Sequence, residues 1–241
     1  MSSIKMWIKR LIQGPKASSQ AYVEYLRAIG VKIGEDVTIY APTKTIIDES
    51  YPWMLSIGNH VRIAQGAILL MHDYSWSVLK GKMNGAICGA SGRVTIGDNV
   101  FIGMNAIITR GVKIGNNVII GAGSVVTKDC EDNGVYAGNP ARRIAEVSVY
   151  FEKRKNAQIA EAKDLAIQYF ERFRKYPPKQ VFHEYIMLFE SWESAQKEDW
   201  IRKKLQLCGN EEESIAYMKG YKRPYENYDA FLNDCFPERK Q

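Results

Sequence analysis

The stretch VTIGDNVFIGMNAIITRGVKIGNNVIIGAGSVVTKD, residues 94–129, repeats itself every six residues. Ile96, Ile102, Ile108, Ile114, Ile120 and Val126 are all β-branched and apolar. Two residues ahead of each runs a second register: Val94, Val100, Ala106, Val112, Val118 and Ser124. A small or polar residue follows each main position: Gly97, Gly103, Thr109, Gly115, Gly121 and Thr127. A period of six matches neither the helical period nor the two-residue alternation of a long strand. Short strands joined by sharp turns do match it, and three hexads make one triangular coil. The main position points inward and stacks on its equivalent in the next coil. The small residue after it lets the backbone turn the corner. Neighbouring coils then pair as parallel strands, each burying the next.

The same phase runs upstream through Ile33 and Ile39, then Ile57, Ile63 and Leu69. Val31, Val37, Leu55, Val61 and Ala67 keep the second register, while Thr45 and Tyr51 are in phase but weaker. The spacing from Leu69 to Ile96 is not a multiple of six. One phase slip is therefore expected, between about residues 71 and 93, on an otherwise unbroken scaffold. MHDYSWSVLKGKMNGAICGASGR, residues 71–93, reads as a loop thrown out from one corner. Long loops on rigid scaffolds commonly carry function. One of the three histidines of the chain, His72, stands at its root.

The 241 residues are 46% hydrophobic, enough for one large domain or for a domain plus a smaller one. The net charge of +6 is small and forms no long basic block, which argues against nucleic acid as a partner. Cys88, Cys130, Cys208 and Cys235 are scattered, giving no zinc or disulfide pattern and pointing to a reducing, cytoplasmic setting. The basic, apolar N-terminus MSSIKMWIKRLIQG lacks the apolar core of a signal peptide. It reads as a helix packed on its own domain, with peripheral membrane contact as the alternative.

A helix should precede the coils. Ser18 and Ser19 are N-cap candidates, Tyr22, Leu26 and Ile29 form an apolar stripe, and Gly30 is a stop. It would close the open end of the solenoid. Beyond Ala145 the hexads vanish. Ile159, Ala162, Ala166, Tyr169 and Phe173 mark one face of a long helix. Val181, Tyr185, Leu188 and Trp192 mark a second, and shorter helices are expected near 197–206, 212–219 and 225–235. The expected organisation is an N-terminal helical cap (1–30), a β-helix (31–145) with a protruding loop (71–93), and a C-terminal helical extension (146–241).

IGDNVFIGMNAIITRGVKIGNNVIIGAGSVVTKD, followed by VYAGNPARRI, closely resembles the hexapeptide-repeat acyltransferases. PWMLSIGNHVRIAQGAILLMHDYSW looks most like members that act on capsule, exopolysaccharide or lipopolysaccharide sugars. The resemblance covers roughly residues 30–147. It implies a mainly β fold, a left-handed parallel β-helix. It also implies a homotrimer with sites between subunits, and acetyl-CoA as co-substrate without a metal. The implied activity is O-acetylation of a sugar hydroxyl. N-acetylation of an amino sugar, antibiotic acetylation, or a trimeric scaffold without catalysis stand as alternatives.

His72 matches the family's catalytic histidine, a general base for the acceptor hydroxyl. No Ser or Cys matches a nucleophile motif, so the hydroxyl would attack the thioester directly. Around it, Asp73, Tyr74, Trp76, Asn105 and Asp48 are candidates for the acceptor side, with Glu49 beside Asp48. For the cofactor, the resemblance assigns Phe101 where relatives often carry Trp. It assigns the Gly103–Met104 backbone as oxyanion donor, and Ala122 as a small residue beside the pantetheine arm. Thr127 and Lys128 lie further along the groove. Asn139 and Pro140 turn the chain out of the last coil, and Arg142 or Arg143 would reach a phosphate. His60 and His183 read as structural.

Overall fold

The computed structural model describes residues 11–240. The chain divides into two compact units between Tyr150 and Phe151. In the first, thirteen short strands fall into three parallel ladders that form the faces of a triangular coil. One face stacks β1 (Lys32–Ile33), β4 (Leu55–Ile57), β9 (Val94–Ile96) and β12 (Lys113–Ile114). The second stacks β2 (Thr38–Ile39), β5 (Arg62–Ile63), β10 (Val100–Ile102), β13 (Val118–Ile120) and β15 (Gly134–Gly138). The third stacks β3 (Ile46–Ile47), β6 (Ile68–Leu69), β11 (Ile107–Ile108) and β14 (Val125–Val126).

Both sequence registers lie inside. Ile96, Ile102, Ile108, Ile114, Ile120 and Val126 are at most 2% exposed, and so are their companions from Val94 to Ser124. Register ties Ile39 to Ile63, then to Ile102, Ile120 and Tyr136, one continuous stack of side chains. A short antiparallel strand, β16 (Ala141–Glu146), turns back on β15 and closes that edge of the sheet.

Two expectations about the coils need correction. The first coil is not a plain run of hexads. Equivalent positions are 24 residues apart there, against 18 in the regular part. Ile47, not Thr45, pairs with Leu69 on the third face. Thr45 is buried but serves as a turn lock, its hydroxyl donating to the Tyr40 carbonyl at 3.1 Å. Tyr51 is outside the stack and 38% exposed. The scaffold therefore departs from its period in residues 40–54 as well as in 71–93, and its last coil is short, with equivalent positions 16 residues apart.

The second correction concerns the glycines. Gly97, Gly103 and Gly115 do not have positive φ. Their constraint is close approach between coils: a Cβ on Gly103 would sit 2.5 Å from the Ala122 nitrogen. The left-handed corner residues come two places later. At one corner they are Asp36, His60, Asn99, Asn117 and Asn133, all with φ between 52° and 59°. Asn tolerates this conformation, and the Asn99, Asn117 and Asn133 amides link into a ladder at 2.9 Å per step.

The helix α1 (Ser19–Ala28) precedes the coils as expected. Ser18 Oγ caps it by accepting from Ala21 N, and Gly30 ends it at φ 111°. Its Tyr22, Val23 and Leu26 join the core of the coils. The reading of residues 1–10 lies outside the described residues. Among the described residues no helix is long and apolar enough to cross a membrane.

Segment 71–93 is more ordered than a plain loop. β7 (His72–Asp73) and β8 (Ala90–Ser91) pair antiparallel at its base, and a short helix, α2 (Trp76–Lys82), fills its tip. No residue of α2 is buried.

The second unit, from Phe151, takes most of the long helix α3 (Val147–Phe173). The second expected tail helix is absent. Residues 179–188 form two 3-10 turns that bury Phe182, Ile186 and Leu188. Pro178 sets the entry, and Ser191 caps a fresh short helix, α4 (Trp192–Ala195). Helices α5 (Asp199–Leu205), α6 (Glu211–Gly220) and α7 (Tyr228–Cys235) fall where expected. This unit has its own cores, one around Phe182, Phe189 and Phe231 and another around Ile201 and Leu205.

Candidate active site

The third face ends where β6 runs out at Leu69. Here the next residues leave the ladder: Met71 is buried, and His72 begins the insertion with its side chain 29% exposed. One coil earlier Asp48 is level with Leu70, directly after inward-facing Ile47, whose register partner is Leu69. Its N–H donates to the Leu69 carbonyl at 2.9 Å, which ties it laterally to the strand that leads to His72.

Asp48 is almost fully buried and engages three donors. Its Oδ2 accepts from the Met71 N–H at 3.1 Å and is hydrogen-bonded to His72 Nδ1; its Oδ1 accepts from the Ser50 N–H at 3.0 Å. Burial opposes its charge, but the bonds from Ser50, His72 and Met71 together hold the carboxyl below the usual carboxylate range. A carboxylate only accepts, so the shared proton belongs to Nδ1. Nε2 then carries the lone pair. The tautomer is thus assigned from the partner, and it leaves Nε2 able to take a proton. Asp48 was expected on the acceptor side; the structure bonds its carboxylate to His72 Nδ1.

Asp73 is the second fixed carboxylate. Its Oδ1 accepts from Ser75 N at 2.9 Å and its Oδ2 from Arg110 Nε at 2.7 Å. These bonds lower its pKa strongly. They fasten the insertion to the corner of the following coil. His72, Asp73, Leu70, Thr109, Arg110 and Thr127 together line a cleft of about 350 Å³. Thr127, expected along the cofactor groove, lines the same cleft as His72. Tyr51 sets its ring edge-on to the imidazole at 5.3 Å, with Trp53 5.8 Å beyond it. Tyr74 and Trp76 contact each other at 5.0 Å, and Tyr74 is 68% exposed.

Sequence reasoning missed Tyr51, Thr109 and Arg110. The usable signal was the register: once Ile47 pairs with Leu69, the residues after each are neighbours.

Of the residues assigned to the cofactor, Thr127 lines the His72 cleft; the others, and Asn105 from the acceptor side, do not gather there within one chain. Gly103, Met104, Asn105 and Ala122 sit where the second face turns into the third. His72 sits where the third turns back into the first. The two groups stand at opposite ends of one face. Phe101 is on the outer side of β10, 43% exposed. Asn105 is a left-handed corner residue, φ 56°. The Gly103 N–H donates to the Ile120 carbonyl at 2.8 Å, so it cannot be an oxyanion donor while the ladder is intact. Lys128 is exposed next to Thr127. Asn139 and Pro140 join β15 to β16. Arg143 is engaged at the last corner, donating to Glu146 at 2.8 Å and to the Asp132 carbonyl at 3.2 Å. Arg142 remains exposed, with a local bond to the Ala141 carbonyl. His60 is a corner residue paired with Asp36 at 3.0 Å.

The family model for bacterial transferase hexapeptide (six repeats) matches residues 93–128. Protein CapG of Staphylococcus aureus is 41% identical over 128 residues, 53% of this chain and 73% of CapG. The chain belongs to the hexapeptide-repeat transferase family. Its class is that of an acyltransferase, built on a left-handed parallel β-helix. A second relative of this transferase, putative acetyltransferase YvoF of Bacillus subtilis (strain 168), is 31% identical over 120 residues, 50% of this chain and 63% of YvoF. Among solved structures, a galactoside acetyltransferase in complex with coenzyme A is 29% identical, covering 61% of this chain and 84% of that one, with a TM-score of 0.44.

Proposed function

We propose that this transferase is a cytoplasmic, acetyl-CoA-dependent O-acetyltransferase that modifies a sugar hydroxyl during assembly of a surface polysaccharide. The observation that carries the reading is His72: Nδ1 is bound to the buried Asp48 carboxylate, and the ring borders an open cleft. Nε2 takes the proton of the acceptor hydroxyl as its oxygen attacks the thioester carbon. The tetrahedral oxyanion then collapses, the C–S bond breaks, and the imidazolium returns the proton to the CoA sulfur. Asp48 stabilises the imidazolium between the two steps. The kinship with YvoF, named as a putative acetyltransferase, supports acetyl as the group moved.

The separation of the two residue groups favours a homotrimer. A neighbouring copy would bring Phe101, Met104, Asn105 and Ala122 to the thioester, with the Met104 N–H as oxyanion donor. Lys128 and Arg142 would face the CoA phosphates as positive charges. Asn139 and Pro140 would hold the hairpin that presents Arg142. On the acceptor side, Tyr51, Tyr74 and Trp76 offer aromatic surface, and Arg110 offers donors.

The test is thiol release from acetyl-CoA by the full chain across a panel of glycosides, with mass spectrometry of the products. Release that depends on a glycan hydroxyl, and that falls about 10²–10⁴-fold in His72→Ala, is the expected outcome. Unchanged release in His72→Ala would remove His72 as the base.

A further inference from the structure

Glu49 follows Asp48 directly, yet its carboxylate turns away from the cleft. It accepts two phenol hydroxyls of α1: Tyr22 to Oε1 at 3.0 Å and Tyr25 to Oε2 at 2.9 Å. The two rings are stacked, with centroids 6.2 Å apart. Tyr22 is fully buried in the core of the coils, so its hydroxyl position is set by packing. Tyr25 is half-buried. Burial and the bond to Glu49 raise the Tyr22 pKa, and the Glu49 bond leads in raising that of Tyr25, so both phenols remain donors.

These contacts lie in the first departure from the hexad. The Asp48 N–H makes the last ladder bond, to the Leu69 carbonyl, and residues 49–51 have no regular strand to hold them. Two side-chain anchors act instead: the turn closed by Asp48 on Ser50, and the clamp of Glu49 on α1. The bond from Asp48 to His72 depends on where residue 48 points its carboxylate. α1 is itself fixed to the coils, since Ser19 Oγ accepts from Ile39 N at 2.8 Å.

We propose that Glu49 is a positioning residue, through which Tyr22 and Tyr25 of α1 hold Asp48 on His72. The helix would then be part of the catalytic apparatus rather than only a lid on the solenoid. This rests on the reading of His72 as base for its kinetic consequence, but not for its geometric one.

The experiment uses the full chain with Tyr22→Phe/Tyr25→Phe, which deletes both donors and keeps both rings. Tyr25→Phe alone serves where the double variant folds poorly. The first readout is the proton NMR signal of His72 Nδ1–H, displaced downfield by its carboxylate partner and assigned by its loss in His72→Ala. It should move upfield or exchange faster in the phenylalanine variants. The second readout is kcat in two backgrounds. The double variant should lower kcat about tenfold in the native background and no more than about twofold in Asp48→Asn, because coupled residues are not additive. The KM for acetyl-CoA should stay unchanged.

An unmoved Nδ1 signal overturns the proposal. So does a kcat loss of equal size in both backgrounds, which would mean a structural role only. Full activity in His72→Ala together with a moved signal would instead sink the base assignment and keep the clamp.

Discussion

From Val94 to Val126 every coil is alike; from Val31 to Arg93 no two coils are the same length. Equivalent positions are 18 residues apart in the downstream part, but 24 and then 39 upstream. The regular part holds stacked apolar side chains, glycines at coil-to-coil contacts and asparagines at corners. The candidate base and the groups bonded to it or packed on it sit in the irregular part: Asp48, Tyr51 and His72, with Glu49 and Asp73 beside them. The difference has a physical basis. A residue in the regular stack has its side chain committed to the core or its amide to the ladder, as with Gly103. A departure from the period frees backbone to carry a carboxylate and an imidazole to the same corner, as Asp48 and His72 are. The regular coils then keep that placement rigid.

The sharpest way to break this contrast is Asp48→Asn. The amide keeps the size of the side chain but can present a donor to Nδ1 and so favour the wrong tautomer. kcat should fall about a hundredfold, at the low end of what a general base supplies. Global stability should change little by comparison. Steady-state kinetics beside thermal melting checks both. A large fall in melting temperature with kcat preserved would mean that Asp48 serves the fold and that the irregular part is not specialised.

Gly103→Ala probes the other region. Its Cβ would meet backbone at 2.5 Å from the Ala122 nitrogen, and backbone cannot swing aside as a side chain can. The expected cost is about 1–3 kcal/mol, the usual range for overpacking. Chemical denaturation measures it. A neutral result would show that the coils can separate locally, and the rigid-scaffold half of the comparison would fail.

The same contrast explains what was legible in the sequence. Inward residues of the regular coils could be read because period and burial coincide there. The first departure was hidden by arithmetic. It adds one hexad's worth of residues, so Ile57 returns to phase and Thr45 and Tyr51 fall on register positions without occupying them. The slip after Leu69 does not preserve phase, so it was visible, and it led to His72. The glycines were seen but their reason was not: spacing cannot separate a residue needed for positive φ from one needed for close approach. The Asp48–His72 pair depends on the register of β3 with β6, which the sequence shows only once Ile47 is known to be the inward residue. Predicting a helix over Val181–Trp192 failed because apolar spacing alone does not distinguish an α-helix from successive 3-10 turns.

The smallest effect expected is a pH dependence, and it tests whether Asp48 is held as the geometry implies. Its folded pKa lies below the ordinary value of about 3.9 for an unfolded aspartate. A depressed folded pKa contributes stability that is fully present above the unfolded value and is lost as pH falls through the folded one. The gap in melting temperature between the native chain and Asp48→Asn should therefore be present near neutrality. It should narrow only below about pH 4. Imidazole charge would complicate the approach to that window, so the comparison is best made in a His72→Gln background. There the Ser50 and Met71 amides still donate to Asp48. A gap that closes well above pH 5 would mean that burial outweighs those bonds and raises the Asp48 pKa. The carboxylate would then be the weak point of the site, and the irregular coils would hold their polar groups at a cost to stability that the regular coils do not share.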